Sequence, residues 1–263
     1  MFFAKHRISH RVLAGIAKAL PFFYAGIVIV LAWQLLVVAT KPDRSILPPP
    51  IEVARTFAHL ATDGELAVHI SYSVARVFVA WLLSAVIAIP LGLLMGSSQR
   101  LDRIISPFVE LFRPISPLAW IPMAILWFGI GESGKVFVVF IGTFFPILLN
   151  TIVGAKGVDP VLLHAGQIFG CTSRTALFRR VVVPAAMPSI VVGLRVAFGT
   201  GWAAIIAAEL VAAHSGLGYL IANGMDILRA DQVLVGMITI GLLGFLFDTF
   251  FRYLQTLYGR TTL

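Results

Sequence analysis

An all-α polytopic membrane bundle, with about six transmembrane helices and a cytoplasmic loop of two short helices, is what this chain encodes. Three observations carry that expectation. Apolar residues make up 59% of the chain and charged residues 12%, about half the share usual in a soluble domain. The apolar residues fall in long runs, and 263 residues accommodate about six spans of about 20 residues with little left over. Finally, the net charge of +8 comes from Lys and Arg placed mostly in alternate loops. Such alternation marks cytoplasmic loops and argues against a nucleic-acid surface. The single cysteine, Cys171, excludes an internal disulfide and sits among polar neighbours as a free thiol.

Residues 1–20 form a basic lead-in with Lys5, Arg7, Arg11 and Lys18. Residues 22–39 follow without a charge and read as an uncleaved first span. The run is long for a signal peptide, and no small-residue cleavage site follows. The lead-in then lies in the cytoplasm. The segment KPDRSILPPP forces an extended outer stretch. Residues 51–61 show apolar residues at helical spacing around Glu52, Arg55 and His59, predicting a short surface helix broken at Asp63-Gly64.

The second span is expected over residues 74–95, ending in Gly92-Leu-Leu-Met-Gly96, a spacing that lets two helix backbones approach closely. A polar inner turn with Arg100 and Arg103 precedes the third span, residues 107–128. Pro114, Pro117 and Pro122 make that span irregular, as in helices that line a pathway. Residues 129–135 read GIGESGK and match the spacing of a phosphate-binding loop. Apolar spans flank this segment, Val136 stands where a magnesium-binding hydroxyl belongs, and the segment faces outward. It is therefore a glycine-rich turn and not a nucleotide site. The fourth, fifth and sixth spans are expected over residues 136–153, 186–213 and 233–254, with an outer segment over 214–232. Both termini are then cytoplasmic.

The polar stretch DPVLLHAGQIFGCTSRTALFRRVVVP occupies residues 159–184. Asp159 is a helix N-cap, and Pro160 suits the first helical position. Gly170 ends this first helix, and Thr172 or Ser173 caps a second that carries Arg174, Arg179 and Arg180 and stops before Pro184. On the residues alone, this hairpin is either a docking shelf for a cytoplasmic partner or an amphipathic anchor on anionic lipid.

The stretch resembles the docking loop of binding-protein-dependent ABC transporter permeases. That pattern is Glu-Ala-Ala, three residues, Gly, then an aliphatic residue and Pro. Here it falls on His164-Ala165-Gly166, Gly170 and Val183-Pro184. His164 replaces the acidic residue and Gly166 the second alanine. The segments ELFRPISPLAWIPMAILWFGIGESGK and GWAAIIAAELVAAHSGLGYL resemble the nitrate, sulfonate and taurine permease group, with the taurine and aliphatic-sulfonate branch nearest. The resemblance implies a transport subunit without catalytic residues, a metal site or a directly bound cofactor. ATP and magnesium belong to a cytoplasmic ATPase dimer that grips the loop. A second copy of the chain completes the pathway, and a periplasmic or lipid-anchored binding protein delivers a small anion at the inner membrane. Residues 1–70 are then tail, first span and outer segment, and residues 71–257 the permease unit, with its coupling loop at 155–184.

Charges inside spans are costly and face the interior, usually in pairs. Arg113, Arg195, Glu209 and Asp248 are such charges. They either line the pathway or hold helices together. Arg113, Pro117, Trp120, Pro122 and Glu209 are the candidate pathway residues. A self-contained alternative, an ion-coupled carrier or intramembrane enzyme, needs an inverted repeat or a polar catalytic set. Neither is apparent, and His59, His69, His164 and His214 fall in or beside loops without metal-ligand spacing.

Overall fold

The computed structural model describes residues 24–259. The basic lead-in and Arg260 lie outside the described residues. Every regular element among the described residues is helical. The chain begins with α1 (Tyr24–Thr40), a short apolar helix. Next, α2 (Pro50–Thr62) starts on Pro50 and breaks at Asp63-Gly64 into α3 (Glu65–Ser97). With α6 (Glu132–Lys156), α9 (Val183–Ala212) and α11 (Ala230–Gly259), α3 is long and apolar enough to cross a membrane.

The third expected span is not one helix. It is α4 (Gln99–Phe112), then a 3₁₀ turn (Pro117–Trp120) running into α5 (Ile121–Phe128), bent by 82°. Arg113 is still helical, and the helix ends at Pro114, which has no N–H to donate to the turn behind. Leu101, Ile104, Phe108 and Leu111 share one face of α4, and Arg100, Asp102, Arg103 and Glu110 lie between them. This helix is amphipathic and not apolar all round. Counting the bent pair as one span gives five long apolar crossings, with α1 in addition.

The core is the α3–α6–α9 layer, with α6 in the middle, and small residues set its spacing. A Cβ on Gly92 of α3 would stand 2.7 Å from Thr151 Cβ of α6, and Gly96 lies against Ala155. On the other face of α6, Gly193 of α9 lies against Asn150, where an added Cβ would also be 2.7 Å away. The small-residue spacing expected at 92 and 96 is therefore a helix contact, here with α6. The Gly96–Ala155 contact also fixes which ends meet. Ser97, Lys156 and the polar hairpin share one end of the bundle. Gly64, Gly131 and the α9–α11 connection share the other.

That far end is organised by a buried arginine. Arg76 of α3 is 3% exposed, and all five of its N–H donors are used. Nε and Nη2 donate to the Glu132 carboxylate at 2.6 Å each, a two-pronged contact with the start of α6. Nη1 donates to Glu209 of α9 and to the Ser215 carbonyl, both at 2.7 Å. Nη2 also donates to the Ser215 hydroxyl at 2.7 Å.

Glu209, 1% exposed, accepts in addition from Ser73 and from the Gly218 N–H at 2.9 Å. Leu217 N–H donates to the Ser73 hydroxyl at 2.8 Å and Gly216 N–H to His69 Nδ1 at 3.1 Å. The otherwise orphaned first N–H groups of α10 (Leu217–Asp226) thus end on α3 and α9, where a carboxylate also suits the helix dipole. Gly216 has φ +112°, and any side chain there would collide with the Glu209 carboxylate. His69, expected beside a loop, is buried within α3 because it serves this turn. The glycine-rich segment is a turn over Gly129–Gly131. Lys135 pairs with Glu132 at 3.1 Å.

Two outcomes follow. Gly92→Leu forces α3 from α6 and is expected to destabilise the protein by about 1–3 kcal/mol, the usual range for overpacking. It would lower the thermal midpoint of the detergent-purified protein, and an unchanged midpoint would contradict the contact. Arg76→Leu and Glu209→Leu should each cost about 3–5 kcal/mol, because each strands a buried charge. The double variant should cost less than their sum. Additive losses would contradict direct coupling.

Candidate functional site

Two features stand out: the polar hairpin at one end and a cavity in the middle of the bundle. The hairpin begins with α7 (Pro160–Ile168), capped by the Asp159 side chain, which accepts from Val161 N–H at 2.8 Å. It ends in a paired reversal. Gly170 N–H donates to the Gln167 carbonyl at 3.2 Å and Cys171 N–H to the Gly166 carbonyl at 2.9 Å. This Schellman geometry requires the left-handed Gly170, whose φ is +94°. Gly166 faces the returning arm, where a Cβ would meet Val181 Cγ2 at 2.7 Å. A residue no larger than glycine lets the two arms close without adjustment.

The returning arm begins with α8 (Arg174–Leu177), capped by Ser173, whose hydroxyl accepts from Ala176 N–H at 3.1 Å. It does not stop before Pro184, as expected. A π-helical turn (Phe178–Val182) carries it directly into α9, giving one apolar helix of 39 residues, Arg174–Ala212. Pro184 has no N–H for the Arg180 carbonyl, and its ring crowds that group. Widening the turn, with Val183 N–H donating to the Phe178 carbonyl, relieves the crowding without breaking the helix. Ala165 is half-buried in α7, while His164 is exposed, with Nδ1 2.7 Å from the Pro160 carbonyl. Arg174, Arg179 and Arg180 are exposed. At the tip, Ile168 and Phe169 are 83% and 87% exposed. A groove of about 1030 Å³ separates the hairpin from the ends of α3 and α6 and the start of α4, with Asp102, Lys156 and Arg174 on its walls.

The cavity, about 510 Å³, lies among the α4–α5 elbow, α6 and α9. Its walls include Arg113, Ser116, Pro117, Phe145 and Thr200. Arg113 is the C-cap of α4, its N–H bonded to the Val109 carbonyl at 2.9 Å, and its side chain is exposed. Pro117 opens the 3₁₀ turn on the cavity wall. Trp120 packs instead against Trp127, tilted, and Phe137, edge-on, both at 6.2 Å between ring centres, and Pro122 sits in the first turn of α5. Glu209 belongs to the far-end network, away from the cavity walls. Arg195 and Asp248 form an interhelix pair at 2.8 Å, with Arg252 also on Asp248 at 2.6 Å.

Arg76 was missing from the candidates. The signal was present: an arginine within SYSVARVFVAW, three residues after a serine, in a run otherwise fit for lipid.

The comparisons with known proteins agree with this architecture. Residues 88–260 match the family described as binding-protein-dependent transport system inner membrane component. A putative ABC transporter permease of Methanocaldococcus jannaschii is 40% identical over 87% of this chain and 87% of its own length. The taurine transport system permease of Escherichia coli is 34% identical, covering 87% and 84% of the two chains. The nitrate import permease of Synechocystis is 32% identical over 88% and 86%. Among solved structures, the inward-facing MetNI methionine ABC transporter matches with a TM-score of 0.65 at 20% identity, over 72% of this chain and 94% of that one. The fold is thus shared at low identity and the family at high coverage: the chain is a multi-pass membrane protein and belongs to the binding-protein-dependent ABC transporter permeases.

Proposed function

We propose that this chain forms the pathway of an ABC importer for a small solute with an anionic head, such as an alkanesulfonate, taurine or nitrate. Two copies line the pathway in the inner membrane, with both termini and the hairpin end cytoplasmic. A separate ATPase dimer binds ATP and magnesium and seats one hairpin in each of its clefts. A periplasmic or lipid-anchored binding protein delivers solute at the far end, beside α2 and α10.

The hairpin tip carries the reading. Ile168 and Phe169 are almost wholly exposed at the turn, more so than Val161 and Leu162 on the same helix. Apolar side chains displayed on a rigid, capped turn mark a docking surface, and burying them in a partner contributes about 25 cal/mol per Å². Arg174, Arg179 and Arg180 supply charge beside them. The continuity of the returning arm with α9 supports a mechanism. ATPase closure displaces the hairpin, and the 39-residue helix carries that displacement to Thr200 and Ala203 on the cavity wall. The ATPase state and the bundle state are then linked through one element. The far-end network anchors the other end of the same helix.

Replacing both Ile168 and Phe169 by Asp is expected to leave folding and membrane insertion intact and to abolish co-purification of the ATPase. Retained ATPase would sink the docking role of the tip. Gly170→Val meets no neighbour, since nothing lies within 4 Å of an added Cβ. Its cost is confined to the left-handed backbone, roughly 1–2 kcal/mol or more for a β-branched residue. In proteoliposomes the variant should hydrolyse ATP while importing little solute. Normal uptake would contradict the requirement for this reversal.

A further inference from the structure

We propose that the cavity beside Arg113 is a solute subsite for a compact monoanion that carries no cationic group, with Arg113 holding the anionic head. The proposal rests on the import reading above and narrows its solute class.

The first support is that Arg113 is the one charged residue on the cavity wall and, among the described residues, has no ion pair there. Arg76, Glu132, Lys135 and Glu209 form one network. Arg195, Arg252 and Asp248 form another, and Lys156 pairs with Asp102 at 2.6 Å. Among the described residues, no carboxylate pairs with Arg113. Glu110, one turn back on α4, forms no ion pair with it and is not on the cavity wall. A cation at membrane depth is costly unless it is matched. The depth follows from the walls: positions 141–149 lie in the middle of α6 and positions 200–207 in the second half of α9, short of the far-end network. The counter-ion this arginine lacks is what the pathway would carry.

The second support is the chemistry of the rest of the cavity. Its other walls are mainly apolar, including Ile115, Leu118, Phe145 and Leu149. Two hydroxyl residues line it, Ser116 and Thr200. Ser116 Oγ accepts from Leu118 N–H at 3.4 Å, which leaves its O–H free to donate. The Thr200 hydroxyl is already committed, to the Gly142 carbonyl at 2.8 Å and the Ala197 carbonyl at 2.9 Å. No carboxylate lines the space. An anionic head therefore finds a guanidinium and a hydroxyl, and an apolar body finds apolar walls. An ammonium finds no counter-ion, and stripping its water without one is unfavourable. A volume of about 510 Å³ suits a small molecule. The cavity thus separates a simple anion from a zwitterion of the same shape.

The test uses the full-length chain in phosphatidylcholine nanodiscs, with 1-propanesulfonate and taurine as probes. These differ in a terminal methyl against an ammonium. Calorimetric titration should give saturable binding of propanesulfonate, with taurine at least tenfold weaker. Arg113→Gln should lose propanesulfonate binding by at least tenfold, and Arg113→Lys should recover part of it. Ala203→Phe fills the cavity from an exposed wall position, leaves Arg113 in place, and should also abolish binding. An unchanged Arg113→Gln or Ala203→Phe variant, equal affinity for taurine, or no saturable binding to the unaltered chain would each overturn the proposal. So would loss of binding when phosphatidylglycerol replaces phosphatidylcholine, which would make Arg113 a lipid-headgroup contact. Co-purification of the ATPase with Arg113→Gln separates the two readings. If it persists while binding is unaltered, importer function stands and the subsite falls.

Discussion

A guanidinium taken out of water needs five acceptors, and meeting that need is the constraint on which the rest of this structure depends. Arg76 finds its acceptors on three separate segments, the start of α6, the end of α9 and the turn before α10. None of the three can move alone without leaving a buried donor unpaired, at a cost of several kcal/mol. The far end of the bundle is therefore a fixed point. The N-terminal N–H groups of α10 and the carboxylate of Glu209 complete the arrangement, so the same contacts that satisfy Arg76 also cap a helix.

With one end fixed, motion belongs to the other. Toward the hairpin, polar contacts between elements are more exposed: the Lys156–Asp102 pair spans the groove rim and Arg195 of α9 meets Asp248 and Gln255 of α11, and exposed pairs of this kind contribute little. Between the two ends, α6 is held to both neighbours by close approaches at Gly92, Gly96 and Gly193. The 39-residue helix from Arg174 to Ala212 passes from the hairpin to the fixed network and borders the cavity on the way. The path from docking surface to solute cavity is one helix long.

Much of the hairpin was legible because its determinants are local. Asp159, Pro160, Gly170 and Ser173 each act on backbone groups within a few residues, and all four occupy the roles their chemistry suggests. The long spans were legible from hydropathy, with most boundaries a few residues short and the start of α3 nine residues short, because helices overrun the apolar window. What failed to appear were arrangements made by the fold. Arg76 and Glu209 are 133 positions apart, and neither announces the other. Pro184 suggested a stop, yet a π turn absorbs the missing donor, because the buried helix beyond it has more to lose by ending. The third span's prolines promised irregularity but not an 82° elbow or the cavity beside it. Of the expected pathway residues, only Arg113 and Pro117 line that cavity, since facing direction depends on the bend.

The most direct test of a fixed end and a driven end compares two distances within one subunit of the assembled transporter. In a Cys171→Ser background, spin labels at Gln99 and Thr175 report the groove beside the hairpin, and labels at Ile130 and Met225 report the far end, all at exposed positions. On adding ATP under conditions that block hydrolysis, the first distance should shift and the second stay unchanged. A shift at the far end with an unchanged groove would contradict the account.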